Sequence, residues 1–243
     1  MQYREFLPHS DLRSYIDAYW KVVNDDQVPG YNRILPDGCV DLIINLGEDF
    51  LTDTGACVMQ NEKLYLVGTM TRYKETIGKP GTHLLGIRFK PAGFTHFFKF
   101  ASLYESTDKT VEFNRKLFPE IHPGSTGILQ DLDRFFLQKL LRPRISILPV
   151  IHDIERHQGR IAVEDLSKKH HVTSRQLERY FKEHTGLSPK KFTSFVRYKF
   201  TLKAIQTRHS AKTLEDIAFD YGYYDHSHLT NEVKKYSGLL PSD

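Results

Sequence analysis

Residues 163–189 read "VEDLSKKHHVTSRQLERYFKEHTGLSP", and residues 214–241 read "LEDIAFDYGYYDHSHLTNEVKKYSGLLP". The second stretch repeats the first. Leu166 pairs with Ile217, Leu177 with Leu229, Phe181 with Val233, Gly186 with Gly238 and Pro189 with Pro241, and the offset grows from 51 to 52 where one residue is inserted at the turn. A period of that size marks one supersecondary unit used twice. Each copy predicts a helix, a short turn and a second helix ended by glycine, which takes the left-handed conformation of a C-cap without a Cβ clash. Thr173 and Asp225 stand where a side-chain oxygen can cap the second helix of each copy. Between the copies, "SPKKFTSFVRYKFTLKAIQT" (188–207) predicts one long helix. Its Phe192, Phe195, Val196, Leu202 and Ile205 form a core stripe among the basic stems of Lys199 and Lys203. Two helix-turn-helix units on a rigid connector follow.

Upstream the pattern is different. Short β-prone runs, "YWKVV", "CVDLIINL", "KLYLVG" and "HLLGIRF", are separated by the turn signals "VPGYN", "LPDG" and "KPGTH", which predicts a small antiparallel sheet or barrel. From Pro91 the apolar spacing turns helical, with Phe94, Phe97 and Phe98 and then Leu132, Phe135, Phe136 and Leu140. In "LLRPRISILP", Pro143 and Pro149 flank a linker. The fold expected is α+β in two domains. Residues 1–142 form a small β-barrel or sandwich-like domain closed by trailing helices, 143–149 a linker, and 150–243 an all-α domain.

The 243 residues are 40% hydrophobic and 12% aromatic, enough to bury a core in each of two domains. "MQYREFLPHS" lacks the apolar centre of a signal peptide, and no apolar run reaches the roughly 18 residues of a membrane helix. A soluble, cytoplasmic protein with no membrane partner is expected. The two cysteines, Cys39 and Cys57, are too few for a disulfide framework or an all-cysteine zinc site. The net charge of +4 is unevenly spread: residues 1–143 carry net −1, residues 156–208 net +9 and residues 209–243 net −3. A block as basic as 156–208 suits either a solvated helical surface or a phosphate backbone.

The C-terminal residues resemble the AraC/XylS family of transcription regulators. The resemblance rests on "AVEDLSKKHHVTSRQLERYFKEHTGLSPKKF" for the first motif and on "TLEDIAFDYGYYDHSHL" through "GLLP" for the second, and spans about the last hundred residues. The N-terminal part, with "ILPDGCVDLIINLG" and "LLGIRFKPAGFTHFF", looks like the uncharacterised sensor-type domain of one branch of that family. The resemblance implies sequence-specific binding of double-stranded DNA and a role in transcription, as an activator or a repressor, with RNA polymerase as a partner. It further implies an N-terminal domain that senses a small-molecule effector or forms a homodimer, and a protein associated with the nucleoid when bound to DNA. Four positions of the second motif depart from the family pattern. Leu229 and Val233 sit where Phe is usual, Asn231 where Arg is usual, and Leu240 where Ser or Thr precedes the proline.

With Leu177 and Phe181 turned inward at about 100° per residue, Arg175, Glu178, Arg179 and Lys182 share the opposite face of the first recognition helix, with Ser174 at its start. Arg pairs bidentately with guanine and Glu accepts from cytosine, while Lys suits phosphate. On an isolated helix such a face is merely solvated; within a repeated helix-turn-helix it is a groove-facing surface. In the second copy, Ser227, Thr230, Asn231 and Lys234 turn outward, with His226 at the margin. His226 and His228 are two apart and diverge by about 200° on a helix, so one metal cannot hold both. Gly222 relieves the backbone at the turn, and Tyr221, Tyr223 and Tyr224 are assigned to turn and core packing. His170 and His171 are assigned to solvent or packing.

The competing reading is a DNA-associated enzyme or methyl-acceptor protein working through Cys39 in "PDGCVD". Asp37 and Asp41 would raise that thiol's pKa, and no nearby base lowers it. His9, His83, His96 and His122 lack metal-ligand spacing, so no metal, cofactor or catalytic residue is expected. A module whose helix-turn-helix units bind protein fits the net +9 block poorly. Arg33, Arg72 and Arg88, with Trp20 and Tyr31, are the candidates for lining an N-terminal pocket for an acidic or aromatic ligand.

Overall fold

The computed structural model describes residues 1–26, 28–121, 126–141, 146–207 and 212–241. His122 and positions 143–145 of the expected linker lie outside the described residues.

The N-terminal region contains strands β1 (Gln2–Phe6), β2 (Ile16–Asn24), β3 (Gly30–Ile34), β4 (Val40–Asn45) and β5 (Phe50–Thr52), followed by β6 (Cys57–Met59), β7 (Leu64–Val67), β8 (Lys74–Gly78), β9 (Thr82–Phe89) and β10 (Thr110–Phe113). Six of them form an antiparallel sheet in the order β1-β2-β9-β4-β7-β10, and β3–β8 and β5–β6 form two-stranded ribbons. Alternate residues on a strand point to opposite faces, so a sheet covered on both sides has two apolar sets. Tyr19, Leu42, Ile44, Leu66, Ile87 and Phe89 belong to one buried cluster. Phe94, Phe97, Phe98 and Phe136 complete it, and the rings of Phe94, Phe98 and Phe136 pack edge-on to Phe89, at centroid distances of 5.4 Å for Phe94 and 5.6 Å for Phe136. Trp20, Ile43, Tyr65 and Leu84, on the other face, pack with Phe50 and Met59 of the β5–β6 ribbon.

The closing segment is less helical than the apolar spacing suggests. Phe94–His96, Leu103–Ser106 and Arg115–Leu117 are single 3-10 turns, and among the described residues the one full helix there is α1 (Ile128–Lys139), which buries Leu132 and Phe136. The spacing of Phe94 and Phe97 satisfies one 3-10 turn as well as it does an α-helix.

The C-terminal region is wholly helical among the described residues. It contains α2 (Leu148–Arg156), α3 (Val163–Lys169), α4 (Ser174–Thr185), α5 (Pro189–Gln206), α6 (Leu214–Asp220) and α7 (His226–Ser237). Pro149 stands in the first turn of α2, where a missing N–H costs nothing. The paired repeat positions are core positions: Leu166, Leu177 and Phe181 in the first unit, Ile217, Leu229 and Val233 in the second, each at most 1% exposed. Gly186 and Gly238 take φ of 77° and 73° as the C-caps of α4 and α7. Along α5, Tyr198 and Thr201 are buried and Leu202 is half-buried, so the core stripe sits slightly off the expected one.

The two regions are joined by more than the chain. The last turn of a helix leaves carbonyls without intrahelical partners, and three near the end of α4 accept hydrogen bonds from the N-terminal region. Thr69 Oγ1 donates to Thr185 O at 2.7 Å, Thr107 Oγ1 to Gly186 O at 2.7 Å and Ser102 Oγ to Lys182 O at 3.3 Å. The other cap glycine also rests on that region, since a Cβ at Gly238 would stand 2.3 Å from the Tyr73 ring.

Candidate DNA-binding surface

Helix α4 begins with a reciprocal capping box. Thr173 Oγ1 accepts from Gln176 N at 3.1 Å and Thr173 N donates to Gln176 Oε1 at 2.9 Å, which fixes the direction of the first turn. Leu177 and Phe181 face inward, with the Phe181 ring 5.5 Å from Phe192 of α5. Ser174, Arg175 and Arg179 are exposed. Arg175 makes no ion pair among the described residues, and the Arg179 guanidinium lies 5.1 Å from the Tyr180 ring centre. Glu178 and Lys182 are half-buried and paired with each other at 3.1 Å. Lys182 also sits 5.2 Å from the ring centre of Tyr104, in the N-terminal region. The outward face of α4 is therefore divided. Its first two turns present Ser174, Arg175 and Arg179 to solvent, while its C-terminal end, including Lys182, is held against the N-terminal region.

Helix α7 is entered through Asp225, whose Oδ1 accepts from His228 N at 2.7 Å. Leu229, Val233 and Tyr236 are buried. His226, Ser227, Asn231 and Lys234 are exposed and Thr230 is half-buried, so the expected outward set shares one surface. The His228 ring packs edge-on against Tyr223 at 5.3 Å. Tyr223 is core at 3% exposure, whereas Tyr224 stands out at 86%, beside the N-terminus of α7. Among the described residues no group of three or more His, Cys, Asp or Glu side chains could hold a metal ion.

Residues 166–243 match the model of a helix-turn-helix domain, and the two units just described supply its geometry. The C-terminal region is an AraC-type helix-turn-helix domain. The chain is accordingly a DNA-binding transcriptional regulator. Residues 4–112 match a domain of unknown function, DUF6597. Among solved structures, the chain is similar to ToxT from Vibrio cholerae O395 bound to (E)-4-(8-methylnaphthalen-1-yl)but-3-enoic acid, with a TM-score of 0.47 and 8% identity over 100% of this chain and 97% of that one. Apo ToxT from V. cholerae strain SCE256 gives 0.46 and 11%, over 92% and 95%. An AraC-type transcriptional regulator from Chromobacterium violaceum gives 0.35 and 22%, over 38% and 81%. No curated protein matches the chain. Among the described residues no helix is long and apolar enough to cross a membrane.

Two ion clusters hold the helices of the AraC-type domain in place. Buried Asp153 of α2 accepts from Lys169 Nζ and pairs with His170 Nε2, both at 2.7 Å, at the end of α3. His170 is thus tied to a carboxylate, while adjacent His171 is exposed with φ 53°. The Lys169 hydrogen bond, with help from His170, holds the Asp153 carboxyl below the usual carboxylate range. A carboxyl whose folded pKa is lowered stabilises the fold above its unfolded value, 3.8, and loses that contribution as pH falls through the folded one. Asp153→Asn is therefore expected to lower thermal stability at pH 7 and to narrow its gap to wild type below pH 3. An equal gap at both pH values in a melting series would contradict this account.

The second cluster joins α5 to α7. Arg197 Nη2 pairs with Glu232 Oε2 at 3.2 Å, and the guanidinium lies 4.5 Å from the centre of the Tyr223 ring. Neither Arg197 nor Glu232 stood out in the sequence, where Arg197 reads as one more basic stem on α5.

Cys39 is buried, and its thiol is pushed well above its ordinary pKa by burial first and then by Asp37, Asp41 and Asp17. Such a thiol is a poor nucleophile at neutral pH. Nearby, on the sheet face opposite α1, lies a cavity of about 500 Å³ bordered by Trp20, Arg33, Arg88, Asp37 and Asp41 among others. Of the five expected lining residues, Trp20, Arg33 and Arg88 border it, and Arg72 and Tyr31 do not. Arg33 is paired with Glu75 at 2.7 Å. Arg88 is shared by Glu5 at 2.8 Å, Asp37 at 3.2 Å, Asp41 at 3.8 Å and Asp17 at 4.0 Å. The arginines that suggested an acidic ligand are thus already neutralised, Arg33 by a carboxylate of β8 and Arg88 by carboxylates brought in from β1, β2, β4 and the turn before β4.

Proposed function

We propose that the chain reads duplex DNA sequence-specifically through α4 and α7, with α4 as the main anchor. The observation that carries this reading is the pair Arg175 and Arg179, exposed and without an ion pair among the described residues, on the first turns of a capped helix whose opposite face is locked into the core. Ser174 sits beside them for phosphate or base contact. In this reading Glu178 and Lys182 act near the N-terminal region, and His226, Ser227, Thr230, Asn231 and Lys234 supply a less charged second contact. Residues from about 150 onward carry the DNA-binding function. No residue is assigned a catalytic role. The protein works in the cytoplasm, where DNA and RNA polymerase are its partners.

The N-terminal region is read as a sensor or self-association domain that biases the helices. Supporting this, the turn before β4 touches both the cavity and the DNA-binding region. Leu35 and Asp37 line the cavity, Asp37 O accepts from Lys199 Nζ of α5 at 3.3 Å, and a Cβ at Gly38 would stand 2.6 Å from the Phe195 ring. A ligand that moves this turn would act directly on the connector helix.

Duplexes selected from a random pool test the reading. Two recognition helices on one connector are expected to enter successive major grooves on one DNA face, roughly 34 Å apart or somewhat less on bent DNA. Footprinting should show two protected major-groove segments per protein chain, and affinity should fall steeply with salt as counterions are released. A single short protected segment would mean that α7 is not inserted.

A further inference from the structure

We infer that the cavity in the N-terminal region is a binding site for a hydrophobic organic cation, an amine carried on an apolar or aryl body. The inference rests on the sensor reading above and names the chemistry of that site.

The first observation is an aromatic floor. A Cβ at Gly86 of β9 would stand 1.9 Å from the Trp20 indole, so only glycine lets the indole lie flat across the strand. Trp20 Nε1 donates to Asp41 Oδ1 at 2.7 Å, which fixes the ring. Tyr3 adds a second aromatic face, 6.2 Å from it. Indole is the best of the side-chain rings for holding a cation over its face.

The second observation is the charge around that floor. Glu5, Asp17, Asp37 and Asp41 all lie within 4.0 Å of one guanidinium, that of Arg88, and Asp37 and Asp41 border the cavity with Trp20, so carboxylates outnumber cations at this end even with Lys199 at the Asp37 carbonyl. Burial first and then Asp37 push Asp41 up to about 7, against the pull of Arg88, so a cation brought beside it would favour its charged form. The other cationic residues that border the cavity are committed elsewhere, Arg33 to Glu75, Lys74 to Asp53 and the Met1 ammonium to Asp26. Among the described lining residues an anionic head group would meet no uncommitted cation.

The third is the wall between them. Ile43, Phe50, Met59 and Leu84 line the cavity and belong to the apolar cluster of that sheet face, and about 500 Å³ admits a body of drug size. An apolar wall with few charged groups at one end is the ordinary plan of a small-molecule site.

Three probes of one shape and different charge decide the matter: phenylbutylamine, phenylbutanol and phenylbutyrate, titrated calorimetrically into the full chain. The fluorescence of Trp20, the only tryptophan, gives a second readout. The amine is expected to bind saturably, about tenfold or more tighter than the acid, with the alcohol between them. Asp41→Asn, which keeps side-chain shape, should cut the preference for amine over alcohol by roughly tenfold. The head-group order in the wild-type chain stands as a test even if that variant fails to fold. Acid binding as tightly as amine, no saturable amine binding, or an unchanged preference in a folded Asp41→Asn protein would each overturn the inference. None of these measurements contains DNA, so a failure here is distinct from a failure of the DNA-binding reading.

Discussion

The full chain carrying Arg175→Ala and Arg179→Ala together is expected to bind its selected duplex about a hundredfold or more weakly than wild type, with little change in melting temperature. Each guanidinium that meets a guanine edge or a phosphate is worth roughly 1–3 kcal/mol, and both side chains are exposed and without ion pairs among the described residues, so their removal leaves no buried charge behind there. If either arginine meets phosphate, the slope of log affinity against log salt should fall by about one for that residue. Asn231→Ala should cost less and leave the slope unchanged, because a neutral side chain releases no counterion. Its loss would appear as relaxed preference at one base pair. Anisotropy titrations of both mutants on selected and random duplex compare the two helices directly. An Asn231 effect larger than the combined arginine effect would reverse the order of anchor and reader.

That order follows from features visible in the sequence, and the parts of the molecule that were not visible share a physical cause. The helix-turn-helix repeat was legible because one unit is written twice, with the same core positions, cap residues and C-cap glycines. Strands β2, β4, β7 and β9 were legible as apolar runs because the sheet is buried on both faces. β1, β3 and β8 were not, since "QYREF", "GYNRI" and "KETIG" are mostly exposed ribbon and edge residues without an apolar run. Lys182 illustrates a second limit. Its place on the outward face of α4 follows from helical periodicity, but periodicity on one helix carries no information about the domain packed against its end. Arg88 illustrates a third. It reads as a cation awaiting an anion, and only the pairing of β2, β4 and β9 brings Asp17, Asp37 and Asp41 around it. Arg197 and Glu232 are 35 residues apart, and their contact belongs to the packing of α5 on α7 rather than to either helix alone.

This last contact carries the second large expectation. Arg197→Met is expected to destabilise the C-terminal region by about 3–5 kcal/mol, because it leaves the Glu232 carboxylate buried without its cation. The Glu232 side chain is 10% exposed and that of Arg197 19%, so water replaces little of what is lost. The same substitution removes the guanidinium from the Tyr223 ring, which packs behind the turn that leads into α7. The damage should be confined to the second unit. Helix α4 keeps its capping box, its Phe181–Phe192 contact and its three carbonyl bonds to the N-terminal region, none of which involves Arg197. On a selected duplex the α4 segment of the footprint should therefore persist while the α7 segment fades. The double change Arg197→Met with Glu232→Leu removes both charges and should recover most of the stability in urea unfolding, as apolar replacement of a buried pair commonly does. A single-mutant loss under about 1 kcal/mol, or a double mutant no more stable than Arg197→Met alone, would show that the pair is not what moors α7 to the connector helix.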